Sequence, residues 1–174
     1  MSLEIRLEEP DDRDVVLEVE RLAFGSDEEP AIVETIRGEE GSFAMVAVED
    51  EEVVGHVQFS RAWVGDTAVV ALGPIGVHPR CQGRGIGSAL IQAGCAEAEA
   101  RGERAVILIG SPEFYPRFGF EPALRHGLRN PFAGIGEGDF VIAEEDFMLR
   151  DLSGEPTPLS GAVRWHRAFG QPDG

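Results

Sequence analysis

The chain contains no lysine. All fifteen of its basic residues are arginine, set against 32 aspartates and glutamates, for a formal net charge of −17 and a pI of about 4.5. Nucleic acid needs clustered positive charge, so no nucleic-acid partner is expected. Regulation by modification of its own lysines is excluded outright. Only two cysteines are present, Cys81 and Cys95. They cannot build a multi-bridge framework, and no clustered His/Cys spacing suggests a metal site. Apolar runs fall well short of the roughly 20 residues that span a bilayer. The opening residues Met1-Ser2-Leu3-Glu4-Ile5-Arg6 have neither the basic stretch nor the apolar core of a secretory signal. A cytoplasmic enzyme without a membrane partner is the expectation. The acidity has two readings: a high-salt cytoplasm or base bias, and focusing of cationic amines toward a cleft. The first is favoured.

What is present suits one folded domain. At 174 residues, with 43% hydrophobic and 27% charged residues, the chain can bury a substantial core. We expect a single domain over 1–174, with a core over 1–150 and a tail over 151–174 that adds a terminal strand. Leu3 to Leu7 alternates and reads as a strand. Asp11 or Asp12 is a cap for a helix to about Phe24, with an apolar face of Val15, Val16, Val19, Leu22 and Ala23. A shorter helix runs from about Pro30 to Gly38. Phe43–Val48 and Val53–Phe59 flank an acidic turn at Glu49 to Glu52, a hairpin pattern. Ala68 to Val77 reads as a buried strand, Ile86 to Arg101 as a helix and Arg104 to Gly110 as another strand. Ser111-Pro112 reads as a helix cap. The tail carries Phe140-Val141-Ile142, Phe147-Met148-Leu149 and a terminal strand at Gly161 to Trp165. Antiparallel strands leading into a βαβ unit indicate a mixed α/β sheet with helices on its faces.

Between the strand and helix lies Gln82-Gly83-Arg84-Gly85-Ile86-Gly87-Ser88. A Gly-rich turn into a helix start presents free backbone N–H groups and the positive end of the helix dipole, a site for phosphate. The spacing is not the G-x-G-x-x-G of dinucleotide folds, and a P-loop would need the missing lysine. Glycines that serve packing alone are the other reading of these six residues. A second element lies about one βαβ unit later: Tyr115-Pro116-Arg117-Phe118-Gly119-Phe120.

Gln82-x-x-Gly85-x-Gly87 resembles the acyl-CoA pyrophosphate loop of the GNAT superfamily of N-acetyltransferases. Tyr115-x-x-Phe118-Gly119-Phe120 resembles the signature after that family's fifth strand. The flanks Leu72 to Pro79 and Phe114 to Phe120, with His126 to Phe132, look most like the YhbS-like branch. The resemblance implies a GNAT-like fold and transfer of an acetyl group from acetyl-CoA to a primary amine by direct attack. It implies that backbone groups of Ile75, Gly76 and Val77 bind the pantetheine arm and acetyl carbonyl. Gln82, Gly83, Arg84, Gly85, Ile86, Gly87 and Ser88 would then hold the pyrophosphate, with Arg80 and Arg84 near its charge. Tyr115 is the implied acid for the CoA thiolate, a phenol of pKa about 10 beside a thiol near 8.5. Such proteins often dimerise, and the strand at Gly161 to Trp165 could pair across a homodimer interface.

The general base is not legible. His56, His78 and Glu113 lie near the implied cleft, but a strand histidine such as His56 is more often a structural hydrogen-bond partner. Cys81 beside the loop lacks the His/Asp context of a nucleophile and reads as a small filler. The amine acceptor is undefined. Two other readings stay open: a non-catalytic acyl-CoA-binding or sensing domain, and a nucleotide-binding protein of unrelated fold.

Overall fold

The computed structural model describes residues 2–173. Two compact units divide the chain, one formed by residues 2–60 with Leu72–Glu97, the other by Arg61–Ala71 with residues 98–173.

The first unit begins with β1 (Leu3–Leu7), α1 (Arg13–Phe24) and α2 (Glu28–Ile36). β2 (Phe43–Glu49) comes next, then the opening of β3 (Glu52–Val64), the end of β4 (Thr67–Val77) and most of α3 (Ile86–Ala100). The strands lie in the order β1-β2-β3-β4. β1 and β3 both run antiparallel to β2, with Ile5 opposite Ala47 and Phe43 opposite Phe59. The β2–β3 turn is two residues, Asp50 and Glu51, at φ of 51° and 68°. Positive φ at both central positions matches the right-handed twist of the strands, here without the usual glycine. Val16 of α1, Val33 of α2 and Val46 of β2 form a core on one face. On the other face α3 lies so close that a Cβ at Gly55 would meet Leu90 at 3.0 Å and Ile86 at 3.2 Å. Gly94 of α3 leaves no room before the Phe59 ring, which stacks on Phe43 at 4.5 Å.

The second unit holds the remainder of β3 and β4 with β5 (Ala105–Ile109), β6 (Glu121–Pro122), β7 (Phe147–Asp151) and β8 (Val163–Arg164). β4 and β5 are parallel, Val70 opposite Val106, as a strand–helix–strand crossover requires. β5 and β6 both pair antiparallel with β7, so the sheet is mixed. Ala62, Val69, Ile107, Leu128, Phe147 and Leu149 are among the residues of its core. Arg61 is bidentate to Glu103 at 2.7 and 2.8 Å and also donates to the Val69 carbonyl.

Several local expectations are corrected. α2 starts at Glu28, with Pro30 in its first turn, where a missing N–H costs nothing. Asp12 does not cap α1. Its carboxylate turns back to Arg6, at 2.7 and 3.1 Å, and to the Glu9 N–H at 2.7 Å. Val15 and Leu22 lie at the exposed margin of α1, while Val16, Val19 and Glu20 are buried. Ser111 accepts from the Glu113 N–H, but the next element is a 3₁₀ turn over Tyr115–Phe118. Phe140 is 88% exposed and belongs to no strand. The segment folds on itself through Gly134 N–H to Ile142 O and Ile142 N–H to Ile135 O. β8 pairs antiparallel with β3, Trp63 opposite Arg164.

Candidate active site

β4 delivers Ile75, Gly76 and Val77 to the first unit, with Ile75 and Val77 half-buried. Interior glycine suggests a bulge or a close approach, and at Gly76 the neighbour is a side chain. A Cβ there would sit 2.6 Å from Glu20 Oε2 and 3.1 Å from the Ala23 Cβ, both on α1. The glycine admits a carboxylate beneath the strand.

Beyond Val77 the chain passes through a 3₁₀ turn at Pro79–Cys81, where His78 Nδ1 accepts from the Arg80 N–H at 3.3 Å. Cys81 is buried, in keeping with its reading as filler. The Gln82 side chain donates to the Val77 carbonyl at 3.0 Å, tying the loop to the end of its strand. Gly83 and Gly85 have φ of 76° and 83°, and a Cβ on either would meet nothing within 4 Å. Both are therefore left-handed turns open to a ligand. Ala89 N–H bonds to Gly85 O, which starts α3. Helix geometry then leaves the N–H groups of Ile86, Gly87 and Ser88 without intrahelical acceptors, all at the positive end of the dipole. These backbone donors, with open space at Gly83 and Gly85, could hold a diphosphate.

The two arginines of this segment are engaged elsewhere. Arg84 is bidentate to Glu49 at 2.6 and 3.1 Å, and Arg80 reaches Glu52 at 2.6 Å. Each guanidinium is held more firmly protonated by that hydrogen bond. Glu49 and Glu52 flank the positive-φ turn, so the β2–β3 hairpin faces the loop with acid. A pocket of about 280 Å³ lies between them, lined by Glu49, Asp50, Glu52, Arg80 and Arg84 together with Val54 and Cys81.

Sequence reasoning missed Glu20. It is fully buried, and its Oε1 lies 2.6 Å from Nδ1 of His56, which is also fully buried. His56 is thus the hydrogen-bonded strand histidine expected. Its Nε2 lies 3.7 Å from Glu8 Oε2, and Glu8 pairs with Arg37 at 3.2 Å. Burial pushes the Glu20 carboxyl above its ordinary range, against the pull of His56. A signal existed: Val16, Val19, Glu20 and Ala23 share the i, i+3, i+4, i+7 stripe that helices turn inward. His78 is half-buried and engaged in its turn, and Glu113 is exposed.

Tyr115 belongs to the second unit. Its ring packs edge-on against Phe114 at 5.1 Å and Phe120 at 5.9 Å, and tilted to Phe118 at 6.4 Å. A Cβ at Gly110, just past β5, would run into that ring. Arg117 lies over Phe114 at 4.6 Å and donates to its carbonyl. The half-buried Tyr115 ring thus packs among three phenylalanines. Among the described residues no three His, Cys, Asp or Glu side chains gather as metal ligands, and no helix is long and apolar enough to cross a membrane.

Residues 11–120 match the sequence model of the Acetyltransferase (GNAT) family. The chain is 32% identical over 171 residues to the uncharacterized N-acetyltransferase YhbS of Escherichia coli, covering 95% of this chain and 97% of that one. It is similar in structure to Escherichia coli YhbS in complex with CoA, with TM-score 0.79 and 30% identity over 97% of this chain and 92% of that chain. A GNAT family acetyltransferase from Brucella melitensis in complex with acetyl-CoA superposes with TM-score 0.77 at 30% identity, over 97% and 98% of the two chains.

Proposed function

The chain belongs to the GNAT acetyltransferase family, and from that membership we propose that it transfers the acetyl group of acetyl-CoA to a primary amine by direct attack. Gly83 and Gly85 carry this reading: two left-handed glycines with open space before them, feeding a helix start with free N–H groups. Backbone donors from Gln82 to Ser88 would hold the pyrophosphate. Ile75, Gly76 and Val77 would line the pantetheine and polarise the thioester carbonyl, a backbone N–H facing the charge that develops on oxygen. Arg84 and Arg80 would exchange Glu49 and Glu52 for phosphate oxygens. Amine attack on the carbonyl carbon yields a tetrahedral intermediate, and its collapse breaks the C–S bond. We assign Tyr115 as the proton donor to the departing sulfur, an assignment supported by the motif and the packed ring. We take residues 1–174 as one domain, a reading supported by the YhbS match over 95% of the chain. A cytoplasmic setting belongs to the same reading, since two cysteines are too few for the multi-bridge framework of a small secreted domain.

Calorimetric titration with acetyl-CoA, desulfo-CoA and ATP, at low and high salt, tests the binding half. An amine screen with thiol detection tests the chemistry. Acetyl-CoA binding without ATP binding, together with amine-dependent thiol release, supports the proposal. Binding with no release by any amine would favour an acyl-CoA sensor instead, and ATP binding without CoA binding would refute the loop assignment.

A further inference from the structure

An ammonium acceptor carries three N–H bonds and the amide product one. Of the two protons that leave nitrogen, one ends on the CoA sulfur and one must reach solvent. The first has to depart before attack, because a protonated amine has no lone pair. The balance is R–NH3⁺ plus acetyl-CoA giving R–NH–CO–CH3, CoA-SH and H⁺.

The first unit contains a device suited to that proton. Glu20 is anchored through Oε1 to His56 at 2.6 Å, while Oε2 has no hydrogen-bond partner. That free oxygen lies against the backbone of Gly76, in the stretch of β4 assigned above to the acyl group. A buried carboxylate oxygen without a donor is unfavourable, and packing alone does not call for a carboxylate here. On the far side of His56, Nε2 is also without a hydrogen bond and faces Glu8 at 3.7 Å. Side-chain exposure rises along this line, from 0% at Glu20 and His56 to 10% at Glu8 and 15% at Arg37.

We propose, on the acetyltransferase reading above, that Glu20 accepts the proton of the acceptor ammonium beside Gly76 and that His56 positions its carboxylate for this. The N–H bond breaks, the proton joins Glu20 Oε2, and the freed nitrogen pair forms the C–N bond. His56 keeps its Nδ1 proton in the bond to Oε1 and holds the carboxylate in place, and the proton on Oε2 passes to solvent as the product leaves, which restores the carboxylate. The charged groups facing Glu20 are His56 from β3 and Glu29 from α2, with Glu8 and Arg37 beyond His56. Burial and Glu29 raise the carboxyl and His56 lowers it, and the net rise strengthens Glu20 as a base.

The test compares wild type with Glu20→Gln, which keeps the side-chain shape and a bond to His56. Two acceptor classes are used: an alkylamine, protonated at the assay pH, and a weakly basic hydrazide, already unprotonated. For the alkylamine, kcat/KM should fall about 100-fold or more, within the range of lost general-base catalysis. For the hydrazide it should fall less than about fivefold, and acetyl-CoA affinity should hold. His56→Asn should show the same discrimination with a smaller loss. In CoA-free wild type, the Glu20 carboxyl carbon tracked by NMR should titrate above the ordinary glutamate range, a readout independent of any variant's folding. Equal losses on both acceptors, or an ordinary titration, would overturn the role of Glu20 alone. Absence of thiol release by wild type with every amine would overturn the acetyltransferase reading and this inference with it.

Discussion

Gly76→Ala should destabilise the protein through one contact, and a second substitution should relieve it. The new methyl would lie 2.6 Å from Glu20 Oε2, 3.0 Å from its Cδ and 3.1 Å from the Ala23 Cβ. Ordinary carbon contacts need about 3.5 Å or more, so the carboxylate must retreat by most of an ångström. It is held by the 2.6 Å bond to His56 and has no exposed surface to move into. Either that charged hydrogen bond is lost, at about 1.5–3 kcal/mol, or α1 lifts, at about 1–3 kcal/mol for overpacking. Alanine in place of a strand glycine returns about 0.5–1 kcal/mol. The net loss is about 1–2 kcal/mol, or roughly 2–8 °C in Tm for a chain of this size. Glu20→Ala alone also destabilises, leaving His56 Nδ1 unpaired and a void. In the double variant the methyl enters that void, so the combined loss should fall short of the sum by about 1 kcal/mol or more. Urea unfolding of the four proteins measures the cycle. Additivity within about 0.5 kcal/mol would refute the claim that Gly76 is glycine because Glu20 lies beneath it.

Gly85→Val should abolish acetyl-CoA binding in calorimetry while circular dichroism stays native, because φ of 83° strains a β-branched residue and its side chain enters the open space. Tyr115→Phe should lower turnover at least tenfold with acetyl-CoA affinity within about twofold; undiminished turnover would reduce Tyr115 to a packing role. Glu49→Gln frees Arg84 and should tighten CoA about twofold to fivefold at low salt, the gain shrinking at high salt; weaker binding would show that the pair positions the loop. Asp12 is held below the ordinary aspartate range chiefly by its hydrogen bond to Arg6. Its contribution is therefore full above the unfolded value and lost as pH falls through the lower folded one. Asp12→Asn should cost about 1 kcal/mol at pH 7 and make urea midpoints less sensitive to acid, and identical pH profiles would contradict this.

Most of the elements were legible because each is a local pattern. The alternation of Leu3 to Leu7, the apolar block before Gln82 and the spacing of Ile86, Leu90 and Ala93 each declare a period that backbone geometry must obey. β3 runs on to Val64, past the Phe59 limit read from the sequence. Its continuation Ser60-Arg61-Ala62-Trp63 looks polar until Arg61 finds Glu103, forty-two residues away in the chain. In the tail, Phe140-Val141-Ile142 is apolar but belongs to no strand, because hydrophobicity without a neighbour does not make one.

The left-handed turns of the loop over Gln82 to Gly87 could be read from the chain because glycine spacing is a direct record of backbone freedom. Tyr115 was legible as the chain's single tyrosine within a recognisable run. The Glu20–His56 pair could not be read, since its members lie 36 positions apart. The helical stripe marks Glu20 as inward-facing, but nothing local links it to His56, a common strand histidine. Likewise nothing local assigned Arg84 to Glu49, 35 positions away. Local order, the left-handed turns and the family were determined by the sequence itself, through short-range sterics and periodicity. Which charges meet, which carboxylate is taken out of water, and which glycine makes room for it were decided only by tertiary structure, because burial and pairing depend on surfaces that distant segments create together.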